Sequence, residues 1–397
     1  MIPVAQARRR ILDGFAALPA EQVAISQADG RVLAEDVAAR VTKPPQDVSS
    51  MDGYAVHAAD VASVPAALTV VGEAPAGGAY GAALGRGEAV RIFTGGPLPE
   101  GADAVVIQEN TVRDGDRVTV RESVAAGRFV RPRGLDFRAG DICCAAGTRL
   151  GARQIGLIAA MNVPWVMVTR RPRIAILGTG DEIVNPGDPL GPNQIISSNS
   201  LALAAIVREA GAEALNLGIA TDNEASLRRM IAGARQADLL VVSGGMSVGD
   251  HDLVRHVLGD DGLALDFWKI AMRPGKPLTF GRLGDTPMLG LPGNPVSTLV
   301  CGHLFLRPAI GRMLGLRDDG DGEERAVLGI DLKANDERED YLRARLERSE
   351  DGGWVATPFA AQDSSMLATL AQAGALVVRE SHAPAARAGE TCRIVRL

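Results

Sequence analysis

The sequence has few cysteines and aromatic residues, and it has no long uninterrupted apolar run. Its 397 residues include four cysteines, two of them adjacent at Cys143 and Cys144, and their spacing matches neither a disulfide framework nor a Cys-x-x-Cys metal site. The richest apolar stretch, residues 154–168, is interrupted by Asn162 and Pro164 and falls short of the ~18 residues that a membrane span needs. We therefore expect buried thiols and no membrane segment.

An excess of positive charge is also absent. The formal net charge is −6 at pH 7, whereas duplex nucleic acid requires a basic face, so no nucleic-acid partner is expected. The five histidines show no ligand spacing with a cysteine or a second histidine, which disfavours zinc. The first residues lack a basic start followed by an apolar run and a small-residue cleavage site, so the predicted location is cytoplasmic.

Glycine and proline are plentiful, with 46 and 22 residues, and they divide the chain into short pieces. Apolar residues at Ile11, Phe15 and Leu18 predict an amphipathic helix over residues 3–18. From about residue 43 to 132, short β-branched runs broken by glycine and proline predict a β-rich insertion. A helix then follows and ends on Asn162.

From Arg173 onward, apolar runs of strand length alternate with amphipathic helices, which predicts a doubly wound α/β domain. A charged segment at 317–325 reads as a linker, and the alternating runs after it, with a turn at 351–353, predict a small β-barrel or sandwich. The predicted strands of the α/β domain are RIAIL, ALNLGIA, DLLVVS, FWKIAM and PMLGL.

The loops that leave these strands are the most unusual part of the sequence. Ligands of open α/β sheets bind outside the carboxyl ends of the strands, and glycine-rich loops followed by helices favour an anion. The loops are GTGDE, TDNE, SGGMSVGDHD, MRPGKP and LPGNPVS. Their acidic residues suggest Mg²⁺ between carboxylates and phosphate, and the basic residues near them would contact the anion. These charged residues are Asp181, Glu182, Asp222, Asp250, Asp252, Lys269, Arg273 and Lys276.

Simpler interpretations remain for several of these residues. Asp222 and Asp252 each precede a helical pattern and could cap that helix. Gly244 and Gly245 could be ordinary turn residues. His303 is interpreted as a packed core residue.

Several motifs, taken together, closely resemble the MoeA-type molybdopterin molybdenumtransferases, a family that includes the E domain of gephyrin. The motifs are SMDGYAV, IFTGGPLPEGADAVV, TGDE, SGGMSVGDHD, MRPGKP and GLPGNPVS. The resemblance implies an α/β multidomain fold with a split linker domain, a β-rich inserted domain, an α/β molybdopterin-binding domain and a C-terminal β-barrel. The implied bounds are 1–42 and 133–169 for the linker domain, 43–132 for the β-rich domain, 170–316 for the α/β domain and 317–397 for the barrel.

The resemblance also implies an activity. Such an enzyme takes adenylylated molybdopterin and molybdate as substrates, inserts the metal with the help of Mg²⁺ and releases AMP. It implies a homodimer whose active site lies between the α/β domain of one subunit and the β-rich domain of the other. The implied partners are other molybdenum cofactor biosynthesis enzymes and the acceptor enzymes.

The resemblance assigns roles to individual residues. Asp52, Glu182 and Asp252 would be both catalytic and metal-binding, and Asp136 would be catalytic. Arg273 stands where the family more often has lysine. The substrate-binding set would be Thr94, Asp222, Gly244, Gly245, Ser247, Lys269, Arg273, Lys276, Pro292, Pro295 and Ser297.

Two other functions are compatible with parts of the sequence. An adenylyltransferase or nucleotide hydrolase could use the same α/β domain, but it would leave the first 170 residues unexplained. A non-catalytic scaffold that binds the pterin is the second alternative. Nothing that resembles an interaction tail or a low-complexity segment supports it.

Overall fold

The structure is a computed structural model that describes residues 1–75, 77–245, 263–317 and 323–397. Four modules make up this part of the chain: a split linker domain, a β-rich sheet, an α/β sheet and a closed barrel. In these residues, no helix combines the length and the apolar character needed to cross a membrane.

Helix α1 (Val4–Asp13) packs into the core of the α/β domain through Val4, Ala7 and Ile11. The predicted helix over 3–18 is therefore too long. It ends at Asp13 with Gly14 as the C-cap, and an added Cβ at Gly14 would come within 2.8 Å of Phe280 Cζ. Phe15 is still buried in the same core.

The linker domain is assembled from two separated segments, as the fold class predicts. Strand β1 pairs antiparallel with β12, and β2 pairs antiparallel with β11. Helix α2 packs beside these pairs, and Asn162 after it adopts the left-handed φ of 61° expected at a helix end. The elements are β1 (Ala20–Ala24), a 3-10 turn (Ile25–Gln27), β2 (Val37–Ala38), β11 (Ile142–Cys144), α2 (Ala152–Ala160) and β12 (Trp165–Thr169).

The β-rich module is a six-stranded sheet of order β7-β4-β6-β5-β9-β8, with a separate β3–β10 pair beside it. Buried valines fill its interior, which is typical of strands that pack on both faces. Its strands are β3 (Val48–Ser49), β4 (Gly53–Val56), β5 (Ala66–Ala74), β6 (Glu88–Ile92), β7 (Ala104–Ile107), β8 (Thr111–Asp114), β9 (Arg117–Val120) and β10 (Val130–Arg131); 3-10 turns span Ala58–Val61 and Gln108–Asn110.

The α/β sheet has the order β16-β13-β17-β21-β20-β18. Its first four strands are parallel, and β20 is antiparallel to both of its neighbours. The strands are β13 (Arg173–Thr179), β16 (Glu213–Ala220), β17 (Leu239–Ser243), β18 (Leu263–Phe267), β20 (Thr279–Leu283) and β21 (Thr286–Leu291). A short pair, β14 (Ile183–Val184) with β15 (Ile195–Ile196), stands apart from this sheet.

Helices cover both faces of this sheet. Helices α3, α5 and α6 share one core with α1, whereas α4 belongs to a second core on the opposite face. The helices are α3 (Asn199–Glu209), α4 (Glu224–Ile231) with a 3-10 turn (Ala232–Ala234), α5 (Pro295–Cys301), a π-helical segment (Gly302–Leu306) and α6 (Arg307–Met313).

One strand prediction in this domain is wrong. The run FWKIAM is not a single strand, because β18 ends at Phe267 and β19 (Met272–Arg273) pairs with the barrel strand β23 (Glu339–Arg348). Phe267, Ile270 and Met272 are all buried, so an apolar run persists across a strand end, a bend and a second strand. Strand β20, which the sequence interpretation missed, fills the place beside β21.

The C-terminal module is a closed five-stranded barrel. It closes because β23 pairs with both β24 and β25, while β22 and β26 complete the circle. The predicted turn at 351–353 joins β23 to β24, as expected. The elements are β22 (Glu323–Leu328), β23 (Glu339–Arg348), β24 (Trp354–Pro358), α7 (Leu367–Ala371), β25 (Ala375–Arg379) and β26 (Thr391–Arg396).

Candidate active site at the carboxyl edge of the α/β sheet

The loops singled out in the α/β domain meet at one edge of the sheet. The register pairs Thr179 with Ala220 and Ser243 with Leu291, so four parallel strands end side by side. Strand β20 starts at this edge, since Thr279 pairs with Gly290, and β18 ends here against Phe280. The segment 268–278 therefore also lies at this edge, although it contains most of the wrongly predicted strand FWKIAM.

Close backbone contacts hold the loops together, and glycine makes them possible. Gly180 N donates to Ala220 O at 3.2 Å, and Gly244 N donates to Leu291 O at 3.3 Å. At Gly244 the φ is +94°, and an added Cβ would lie 2.7 Å from Thr179 O. Both the backbone conformation and the close approach therefore require glycine at position 244. Gly245 has a positive φ as well, 62°.

An asparagine that the sequence interpretation missed links the loops. Asn199, the first residue of α3, donates through Nδ2 to Ser243 Oγ at 3.0 Å and to Gly293 O at 2.8 Å. Next to it, the hydroxyls of Thr179 and Ser200 are buried and have no hydrogen-bond partner in the part of the chain that the structure describes. Buried polar atoms without partners at a strand edge are compatible with a polar ligand.

Acidic residues from two loops are neighbours at this edge. Asp181 Oδ1 accepts a hydrogen bond from Asp222 N at 2.9 Å, and Glu182 is exposed beside them. The alternative role for Asp222 as a helix cap is wrong, because Asn223 caps α4 by accepting from Ser226 N at 2.9 Å. The carboxylate of Asp222 therefore remains available for a ligand.

The donor chemistry of this edge suits magnesium. Mg²⁺ is commonly held by one or two carboxylates together with substrate phosphates, and Asp181, Glu182 and Asp222 offer such oxygens. Among the described residues, no three or more acidic, histidine or cysteine side chains are grouped so that they could hold a metal ion by themselves. Ser247, Asp250 and Asp252, including the metal and capping roles predicted for Asp252, lie outside the described residues.

The three predicted cations differ in their surroundings. Lys269 Nζ lies 4.1 Å from the centroid of the Trp268 ring, and Lys276 is exposed. Arg273 instead contacts the barrel: its Nε donates to Asp340 Oδ1 at 2.8 Å and its Nη1 to Asp336 Oδ2 at 3.0 Å. The hydrogen bonds to Asp340 raise the pKa of Arg273 above its ordinary value.

The loop that precedes α5 is also anchored to the barrel module. Asn294 occupies the N-cap position, but its Nδ2 donates to Ser364 Oγ at 2.9 Å, and Val296 N donates to Ser364 O at 3.0 Å. Pro295 stands in the first turn as predicted. Pro292 and Ser297 are buried.

Asp52 and Thr94 come together in the β-rich module. Asp52 Oδ1 accepts from Thr94 N at 2.7 Å and from Thr94 Oγ1 at 2.8 Å. These hydrogen bonds, with a smaller contribution from the charge of Arg91, lower the pKa of Asp52, so its carboxylate is retained into more acidic solution. No hydrogen bond or ion pair between described residues joins this pair to the α/β edge.

Asp136 lies in the second linker segment. Its Oδ2 is 3.4 Å from Lys43 Nζ, both side chains are about half exposed, and its backbone N donates to Lys43 O at 3.0 Å. The ion pair joins the start of the β-rich module to the linker domain. A catalytic role for Asp136 stays a prediction.

Family models match most of the chain. They are described as MoeA N-terminal region (domain I and II) over residues 2–162, probable molybdopterin binding domain over 175–312, and MoeA C-terminal region (domain IV) over 325–397.

Individual relatives are similar over nearly their whole length. A molybdopterin molybdenumtransferase of Nostoc sp. is 40% identical over 367 residues, which cover 90% of this chain and 84% of that relative. One of Haemophilus influenzae is 33% identical over 398 residues, or 99% and 98% of the two chains. The crystal structure of a molybdopterin biosynthesis MoeA protein from Pyrococcus horikoshii superimposes with a TM-score of 0.88 at 26% identity and covers 100% of both chains.

Proposed function

Because the chain belongs to the MoeA family of molybdopterin molybdenumtransferases, we propose that it inserts molybdate into adenylylated molybdopterin with the help of Mg²⁺ and releases AMP. Family membership makes it a transferase of molybdenum cofactor biosynthesis. The adenylylated substrate, the Mg²⁺ requirement, the AMP product and the cytoplasmic location are parts of the proposal.

One observation supports the proposal most strongly: acidic residues and lysines on separate loops lie along the same strand edge. The backbone N of Asp222 donates to Asp181 Oδ1 at 2.9 Å, and Glu182 follows Asp181 directly in the sequence. Lys269 and Lys276 approach from the segment that precedes β20. A site with both signs of charge suits a ligand in which phosphates and molybdate are bound together with a cation.

In this site the chain's own residues bind and orient. Glu182 and Asp222 would hold Mg²⁺, which when bound neutralises negative charge on the phosphates. Lys269 and Lys276 would place positive charge beside molybdate and the departing AMP. Arg273 would keep the MRPGKP loop in place through Asp340. Catalysis of this kind depends on positioning and electrostatics, and no protein nucleophile is needed.

We further propose a homodimer in which Asp52 and Thr94 complete the active site of the partner subunit. Apolar side chains beside the α/β edge are unusually exposed, at 58% for Leu190, 61% for Ile195 and 54% for Leu201. A concentration of exposed apolar residues is typical of a protein interface. The lowered pKa of Asp52 suits a role as an exposed anion that is offered to a cation.

The direct test incubates the protein with adenylylated molybdopterin and molybdate and follows AMP and the metal-loaded cofactor. We expect both products in equal amounts only when Mg²⁺ and molybdate are present. Release of AMP without metal insertion would indicate a nucleotide hydrolase instead. Binding of the pterin without either product would indicate a scaffold.

A matched pair of variants tests the metal role of Glu182. Glu182→Gln removes a charge with little change of shape and should weaken the Mg²⁺-dependent activity while the fold is retained. Glu213→Gln is the control, because Glu213 begins β16 at the opposite edge of the same sheet. Equal Mg²⁺ titrations for Glu182→Gln and the wild type would remove Glu182 from the metal site.

A further inference from the structure

A large cleft lies far from the candidate active site. Its volume is about 860 Å³, and none of the residues assigned to the active site lines it. Helix α3 begins at the carboxyl edge with Asn199, and its last residue, Glu209, lines this cleft. Because α3 runs back across the sheet for about 16 Å at 1.5 Å per residue, the cleft is at the opposite end of the domain. The other walls come from α1, residues 147–149, the helices after α5 and the barrel.

Positive side chains from separate segments line this cleft. The arginines are Arg8, Arg149, Arg307, Arg317 and Arg396. The acidic side chains in the wall are Glu209 and Glu324. Glu324 is occupied by Arg396, whose Nε and Nη2 donate to its two oxygens at 2.9 and 2.5 Å. Among the other charged side chains of the wall, Arg149, Arg307 and Arg317 outnumber the one remaining carboxylate, Glu209.

Arg149 is held in place without being neutralised. Its Nη2 donates to Ala210 O at 2.8 Å and its Nη1 to Gly30 O at 3.4 Å, and both acceptors are uncharged carbonyls. Partial desolvation and the nearby charge of Arg307 lower the pKa of Arg149. Burial and the same Arg307 charge lower the pKa of His303; this residue, predicted to be a packed core histidine, is partly buried and lines the cleft.

Arg307 is thus close to both Arg149 and His303. It has no ion pair with any residue that the structure describes. Two guanidinium groups held near each other repel, and a bound polyanion would relieve this repulsion. Beside them, Phe305, Pro308 and Leu316 provide an apolar wall. The volume is in the range of clefts that hold small organic molecules, about 300–1,000 Å³, and it is larger than an inorganic ion needs.

We propose that this cleft binds an organic phosphate of nucleotide size carrying at least two negative charges. Arg149 and Arg307 contact the phosphates, and the apolar wall contacts the organic part. Because residues of the linker, α/β and barrel modules all line the cleft, the bound anion also stabilises their arrangement. The proposal does not depend on the reaction at the carboxyl edge.

Calorimetric titration of the full chain with ADP, and with adenosine as the uncharged probe, tests the proposal. The proposed active site would also bind phosphates, so Lys276→Ala serves as the background that weakens binding there. ADP is titrated into this variant and into the double variant Lys276→Ala/Arg307→Gln. We expect saturable binding of ADP to the first protein and at least a roughly tenfold higher Kd in the second, since a hydrogen bond to a charged group is lost. Arg312→Gln, in the same helix but outside the cleft, is the control and should leave the Kd unchanged.

Three results would overturn the proposal. The first is that ADP does not bind to the Lys276→Ala variant. The second is that adenosine and ADP bind equally well. The third is that the Kd for ADP is the same in Lys276→Ala and in Lys276→Ala/Arg307→Gln. Arg317→Gln provides a second test from a different segment if Arg307→Gln does not fold. AMP release by the single variant Arg307→Gln should equal that of the wild type. A loss of ADP binding in the cleft is therefore distinguishable from a loss of the proposed reaction.

Discussion

Arg273 is predicted to act mainly as a connection between the MRPGKP loop and the barrel. Its guanidinium contacts Asp340, whose side chain is only 9% exposed, whereas the Arg273 side chain is 45% exposed. Removal of one partner of a buried ion pair costs about 3–5 kcal/mol, because the other charge is left without compensation. Water reaches Arg273 and weakens the interaction with Asp340. We therefore expect Arg273→Ala to lower the free energy of unfolding by about 2 kcal/mol.

Calorimetry and kinetics together check this expectation. At roughly 2–4 °C per kcal/mol for a unit of this size, Arg273→Ala should lower the Tm by about 4–8 °C. Asp340→Asn should cause a similar loss, and the double variant should lose little more than either single variant, since both changes break the same pair. The molybdate concentration for half-maximal activity should change equally in Arg273→Ala and Asp340→Asn.

The opposite pattern would refute this assignment. If Asp340→Asn keeps the Tm and the molybdate dependence of the wild type, while Arg273→Ala raises only the molybdate requirement, then Arg273 binds the oxyanion directly. Arg273→Lys separates charge from geometry, because an ammonium cannot form the paired hydrogen bonds that the guanidinium makes with Asp340.

Two further outcomes follow from the charges of the site. Lys276→Ala should raise the molybdate requirement without lowering the Tm, because Lys276 is exposed and has no ion pair with a described residue. The control is Lys333→Ala, which changes an exposed lysine of the barrel. Equal effects of the two substitutions on the molybdate requirement would remove Lys276 from the site. Thr94→Val removes a hydrogen bond that lowers the pKa of Asp52, so the pKa rises and activity should fall at a higher pH on the acidic side. Thr94→Ser keeps the hydroxyl and should keep the wild-type pH profile; identical profiles for Thr94→Val and the wild type would contradict the role of Thr94.

The order of the modules could be predicted because burial leaves a local mark on the sequence. The central strands β13 and β17 are buried on both faces and therefore appear as continuous apolar runs. The turn at 351–353 and the left-handed Asn162 follow from local backbone preferences. The same reasoning predicted a wrong strand at FWKIAM. This apolar run is buried partly in the α/β sheet, at the end of β18, and partly beside the barrel, in β19.

Contacts between distant segments could not be predicted in this way. Asn199 joins the ends of β17 and β21 through its side chain, and nothing in its neighbourhood in the sequence indicates those partners. Arg273 was predicted as a ligand-binding cation from its loop, but its acceptor Asp340 lies 67 residues later in the barrel. Likewise, the sequence could not show that Asn223, and not the neighbouring exposed Asp222, caps α4.

The shared active site is the claim that a single experiment tests most directly. Asp52→Ala and Glu182→Ala chains are unfolded together at equal concentration, refolded, and shown by light scattering to form dimers. A mixed dimer has both lesions in one site and none in the other if the site is shared. Random exchange makes half of the dimers mixed, so two nearly inactive variants should together recover about a quarter of the wild-type AMP release. Activity no higher than the mean of the separate variants, with mixed dimers demonstrated, would contradict a site built from two subunits.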